Sequence, residues 1–203
     1  MTILSSPLPA SGSPMLGDFS TTSPAFPSDA VHQRVLDAAI ELLTQGENLL
    51  LVLNSESYAG RVPVVFNASI GGHYRHCLDH FFCLLNERAV CLIDYDDRER
   101  DHRLEQDPRH ALEATRRVLA DLHAIEPAQL DQPVHVRCEV SYGPGESPVT
   151  VSSRGRELVY AIAHGIHHYA MISVIARLQK IGLPDNFGLA PSTVAHLKAH
   201  AHA

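Results

Sequence analysis

Positive charge is scarce in this chain. Its 16 lysines and arginines face 23 aspartates and glutamates, a formal net charge of −7. That balance argues against nucleic acid or an anionic membrane surface as a partner, since both call for a basic face. Long apolar runs are missing too, and LLLVLN is far shorter than a bilayer span. The opening MTILSSPLPASG has no lysine or arginine and so makes a poor signal or transit peptide. A cytoplasmic address with no membrane partner is therefore expected. Cysteine is sparse: Cys77, Cys83, Cys91 and Cys138 form no CxxC pair and no zinc-ribbon spacing. They read as reduced, mostly buried thiols.

What the chain has in excess is histidine. There are 14 in 203 residues, nearly as many as lysine and arginine together. With 45% apolar and 19% charged residues the remainder is ordinary for one globular domain.

Residues 1–27, rich in Ser, Pro and Thr, read as a disordered or loosely docked arm. A bundle domain is expected over 28–183 and a C-terminal extension over 184–203. Ser28 and Asp29 offer cap chemistry for a first helix through about Leu53, which Gly46 weakens or shortens. Residues 55–68, broken by Gly60 and Pro63, read as a loop. Ser69 can cap a second helix ending near Ala89. LIDYDDRERDHRLEQD has no sustained period, and its DYDDRERD core reads as a solvated loop. Arg98 and Arg100 there could instead clamp an acidic substrate or salt-bridge a partner subunit. Asp107 and Pro108 are the expected cap and first residue of a third helix to about His123. VHVRCEV and PVTVS alternate around Gly143-Pro144-Gly145 and predict a short β-hairpin. Ser153 caps a fourth helix closed by Gly182, and the tail packs around Phe187 and then frays. The expected fold is all-α: a four-helix bundle with long connections and a short β-hairpin before the last helix.

The histidines fall in two stripes. At about 100° per residue, Glu157, His164 and His168 share one side of the fourth helix. His164 and His168 have the i, i+4 spacing that lets two imidazoles reach one cation. His167 lies one step to the side. Ala161, Ile162, Ala163, Ile166 and Ala170 supply an apolar setting. The second helix carries His73, His76 and His80 in GGHYRHCLDH, spaced by three and four. Two such stripes on facing core helices are what a metal site inside a bundle requires. Neutral imidazoles suit Zn, Ni or Fe, and three of them leave positions open for water or substrate.

These motifs resemble those of the DinB/YfiT-like metal-binding four-helix bundles. That family carries an HxxH run in its second helix and an HxxxH pair in a later one. Here the runs are SIGGHYRHCLDHFF and HGIHHYA, and the resemblance extends over about residues 29–182. It implies a divalent transition metal held by His76, His164 and His168. His73 and His80 are near enough to replace His76 or to support the ligands from outside. Glu157 is the candidate catalytic base or imidazole-orienting group, with Asp79 and Tyr160 as weaker supports.

Two functions are open on these residues. One is a metal-dependent enzyme acting on a small molecule, a thiol-dependent transferase or a hydrolase. The other is a non-catalytic metal-binding stress or ligand-binding protein in which the ion braces the bundle. A site kept for chemistry has an open coordination position, whereas a structural site is closed by a fourth protein ligand. His73, His80 and Glu157 are the residues available for that closure. A homodimer is the expected assembly, and His196, His200 and His202 read as exposed and incidental.

Overall fold

The computed structural model describes residues 28–86, 92–98 and 100–200. The Ser/Pro-rich arm, Cys91, His202 and the expected end of the second helix near Ala89 lie outside the described residues. In chain order the elements begin with α1 (Ser28–Val52), α2 (Ser55–Ala59), α3 (Ile70–Leu85) and β1 (Leu92–Asp94). They continue with α4 (Arg103–Gln106), α5 (Pro108–His123), β2 (Pro133–Arg137) and β3 (Val149–Ser153), then α6 (Arg154–Leu178) and α7 (Pro191–His200).

The long helices start where local chemistry satisfies their free backbone amides. Ser69 Oγ accepts from Gly72 N, Asp107 Oδ1 from Arg109 N, and Ser153 Oγ from Arg156 N. Four helices form the bundle. α3 packs on α6 and α5, and α1 packs on the same two, so α1 and α3 stand at opposite corners. Leu36, Leu43, Tyr74, Leu78, Phe81, Val118, Leu158 and Ile172 are buried between them. Each such aliphatic or aromatic side chain contributes about 1.5–3 kcal/mol relative to exposure.

Several expectations need amendment. α1 runs straight through Gly46, because that glycine faces the core: a Cβ there would overlap the hydroxyls of Tyr169 and Tyr74. The segment 55–68 is not plain loop. Asn54 caps α2, burying Tyr58, whose hydroxyl donates to the Leu104 carbonyl at 2.6 Å. α6 ends at Leu178 rather than Gly182, and Lys180 adopts the left-handed conformation just beyond it. After Phe187, which stacks on Tyr169, the chain does not simply fray but forms α7, a helix with no buried residue.

The all-α expectation is corrected in one respect: the mostly helical fold carries a three-stranded sheet, ordered β1-β2-β3. β2 and β3 form the expected antiparallel hairpin, while β1 adds in parallel to β2, with Leu92 opposite His135. The charged segment is therefore not wholly a solvated loop. Ile93, Tyr95 and Leu104 are buried, and this strap is pinned across the end of α6.

By length and composition α6 could cross a membrane, which its histidine-laden sequence obscures. Here it packs against α1 and α3.

Candidate metal centre

α3 and α6 are the most closely associated pair of helices, and their histidine stripes meet. His164 Nε2 lies 3.0 Å from His76 Nε2 and 3.1 Å from His168 Nε2. One nitrogen from each of the three falls within 4.8 Å of the others. Nitrogens bound tetrahedrally at about 2.0–2.1 Å from zinc stand a little over about 3 Å apart, so the spacing fits one cation. Among the described residues this group closes at three donors.

Burial keeps these imidazoles neutral. Desolvation, followed by the nearby His164 and Arg98, lowers the His76 pKa to about 4. Desolvation, then His164 and His76, lowers His168 to about 3. His164 is lowered as well, by desolvation and then His167. Uncharged imidazoles around a common point are the form a cation needs.

The outer nitrogens differ in what they meet. His168 Nδ1 is 2.8 Å from His73 Nδ1, so a proton on His168 Nδ1 donates to His73 and leaves Nε2 free to ligate. His76 Nδ1 instead faces Arg98 Nη1 at 3.0 Å. A guanidinium has no lone pair. With Arg98 so placed, His76 accepts at Nδ1 and carries its proton on Nε2. To offer an Nε2 lone pair while neutral, His76 must shift that proton to Nδ1 and Arg98 must turn away. The donor set fits a metal with this one adjustment.

His80 is buried and both of its ring nitrogens lack a hydrogen-bond partner. Its ring lies 4.1 Å from that of His164 and 5.0 Å from that of Tyr95, centroid to centroid. Desolvation and the neighbouring histidines lower its pKa to about 3. It walls the site without joining the three converging nitrogens.

Glu157, in the first turn of α6, is a buried carboxylate. It is 5% exposed and accepts hydrogen bonds from Tyr95 Oη at 3.0 Å and Ser152 Oγ at 2.6 Å. Seven residues before His164, it sits about 10 Å along the helix axis from it. Both of its oxygens are engaged in holding the strap and β3 against α6. Tyr160 lies 5.7 Å ring to ring from His164, beneath the Arg156 guanidinium. Asp79 is buried and paired with Arg75, which also reaches Glu105 at 2.8 Å. Burial raises the Asp79 pKa while Arg75 opposes the rise. The apolar setting is narrower than expected: Ala161, Gly165 and Tyr169 are buried, whereas Ala163, His167 and Ala170 are exposed.

Sequence reasoning missed the Arg98–His76 contact and the anchoring of Glu157 by Tyr95 and Ser152. The Arg98–His76 and Tyr95–Glu157 contacts have no local signal, because each joins residues that only the tertiary fold makes neighbours, whereas Ser152 stands only five residues before Glu157. His73 stands on the α3 stripe against His168.

No protein-family profile matches the chain. It is similar to "FK506-binding protein 5" of Rhizopus delemar, with 34% identity over 109 residues. The matched stretch is 54% of this chain and 28% of that protein, so the likeness concerns a limited segment of the longer fungal protein.

Proposed function

We propose that this chain holds one divalent transition metal, Zn, Ni or Fe, through His76, His164 and His168. We further propose that it uses the metal on a small molecule, as a transferase or hydrolase of the DinB-like type. The observation that carries this reading is the convergence of the Nε2 atoms of His76, His164 and His168 without a fourth protein donor among the described residues. An ion that only braced the bundle would call for closure by a fourth side chain. Of the three residues available for it, Glu157 is engaged by Tyr95 and Ser152 and His73 by His168, while His80 packs on the His164 ring with its nitrogens outside the converging group.

A cation in such a setting supplies Lewis acidity and lowers the pKa of a bound thiol or water. The protein's own part is to keep the imidazoles uncharged by burial and to orient His168 through His73. Arg98 brings a fixed positive charge to the rim. Support for the DinB-like assignment comes from the mostly helical bundle and from the pairing of the His76 run with the His164–His168 run.

Elemental analysis of protein purified without added metal tests this reading. Near-stoichiometric transition metal is expected, and its loss in both His164→Ala and His168→Ala. Metal content unchanged in both variants would overturn the assignment. A screen with low-molecular-weight thiols and hydrolysable esters then separates transfer from hydrolysis.

A further inference from the structure

Beside the triad, between α3, α5 and the strap, lies a cleft of about 480 Å³. The triad does not line it, and Arg98 is the side chain that reaches both. The wall carries Arg98, Arg100 and Arg117 together with the carboxylates of Asp79, Asp97 and Asp101. Among the described residues, two of these three carboxylates are paired with groups other than the three arginines. Asp101 is taken by His110 at 2.7 Å, and Asp79 by Arg75. Among the described residues, none of Arg98, Arg100 and Arg117 has a carboxylate within 4.0 Å.

Two buried atoms in this wall are left without a hydrogen-bond partner: Arg98 Nε, a donor, and Asp79 Oδ1, an acceptor. Asp79 is only 2% exposed. Buried polar atoms are nearly always satisfied, so an unmet donor and an unmet acceptor on two side chains that line one ligand-sized cleft point to a ligand that meets both when those side chains turn toward it. Phe82, Leu104 and Ala114 add apolar wall for a short carbon skeleton.

We propose that this cleft binds a small organic acid, its carboxylate or phosphate oxygens held by Arg98, Arg100 and Arg117 and a hydroxyl or amino group of the same molecule donating to Asp79. Guanidinium groups suit this task because their planar donors match the paired oxygens of either oxyanion. As the substrate class of the neighbouring metal centre the proposal rests on the function proposed above. As a binding site it stands on the cleft's own residues.

The test is calorimetric titration of the full chain, as purified with its metal, with malate, succinate, inorganic phosphate and the neutral diamide succinamide. Saturable binding of malate at one equivalent is expected, tighter than succinate, which lacks the hydroxyl, with no binding of succinamide. Phosphate binding more tightly than malate would assign the oxyanion to a phosphate ester, and the reverse order to a carboxylate. Either order upholds the site. Arg98→Gln and Arg117→Gln should each weaken malate by about tenfold or more, while Arg61→Gln, remote from the cleft, changes nothing. Arg117 is exposed on α5, so its replacement leaves the fold intact.

The proposal is overturned if no anion binds saturably, if Arg117→Gln binds as the parent does, or if succinamide binds as well as malate. The His164→Ala variant separates the two readings. Malate binding kept while metal is retained in this variant and in His168→Ala removes the metal assignment and leaves the cleft standing. Metal lost as expected, with no anion bound by the parent protein, removes the cleft alone.

Discussion

His73 and His168 meet Nδ1 to Nδ1 at 2.8 Å, bridging α3 and α6 just outside the three converging nitrogens. The contact fixes a division of labour within one histidine stripe. His76 turns its Nε2 inward, while His73, three residues earlier, holds the far side of His168.

Replacing His73 should therefore weaken the site without abolishing it. In His73→Ala, metal affinity is expected to fall by about ten- to a hundredfold, the usual cost of removing an outer partner. Stoichiometric loading should survive at saturating metal. Competition against a chromophoric chelator measures this, and a complete loss equal to that of His76→Ala would make His73 a ligand instead.

Arg98 should act in the opposite sense. Its guanidinium opposes an Nδ1 proton on His76 and brings positive charge to the rim. Arg98→Gln removes the charge and offers an acceptor. Metal affinity is expected to rise on the order of tenfold, comparable in size to other outer-partner effects. The same competition assay reads it, and weaker binding would show that Arg98 supports the ligand it touches.

Acid should destabilise the metal-free protein. Burial lowers His76 to about 4 and His80 and His168 to about 3, against 6.5 for a free imidazole. Below about 6.5 the unfolded chain binds protons that the folded one refuses, so the unfolded state gains as pH falls. The contribution of the neutral imidazoles is complete above 6.5 and is lost as pH drops through about 4 and then about 3. Urea midpoints of stripped protein between about pH 7 and about pH 4 should fall steadily, and the slope should lessen in a His80→Phe variant.

Gly46→Ala should destabilise. In an exposed helix the change gains up to about 1 kcal/mol. At this position the added methyl meets the Tyr169 and Tyr74 hydroxyls, and overpacking of that kind costs about 1–3 kcal/mol. Thermal or urea unfolding decides the sign.

Glu157 gives a separate check on the strap. Glu157→Ala strips Tyr95 and Ser152 of their acceptor and is expected to cost about 1–3 kcal/mol, while metal content stays unchanged. Loss of metal in this variant, with stability preserved, would return Glu157 to the site itself.

The legible parts of the fold are those written in neighbouring residues. Ser69, Asp107-Pro108 and Ser153 mark helix starts because a cap bonds to amides two or three positions away. The spacing of His164 and His168 is equally local. β1 was hidden because Leu92–Asp94 becomes a strand only by pairing with β2, more than forty residues on, and lies in a run dominated by charge. Gly46 misled for a related reason: its cost to an isolated helix is visible, but the two tyrosines that require it come from α3 and α6. The Arg98 contact with His76 depends on where the strap lands, which no periodicity records.

His76 and His164 are 88 residues apart in the chain and 3.0 Å apart in space. During synthesis the α3 imidazoles emerge long before α6 exists, and without it the three-nitrogen set is incomplete. Capture of the proposed ion would therefore wait for the last long helix to dock, so that loading would report completed folding. Once seated, such an ion would be a clasp across that long loop. It would have to let go before α3 and α6 separate, which would slow unfolding more than it hastens assembly.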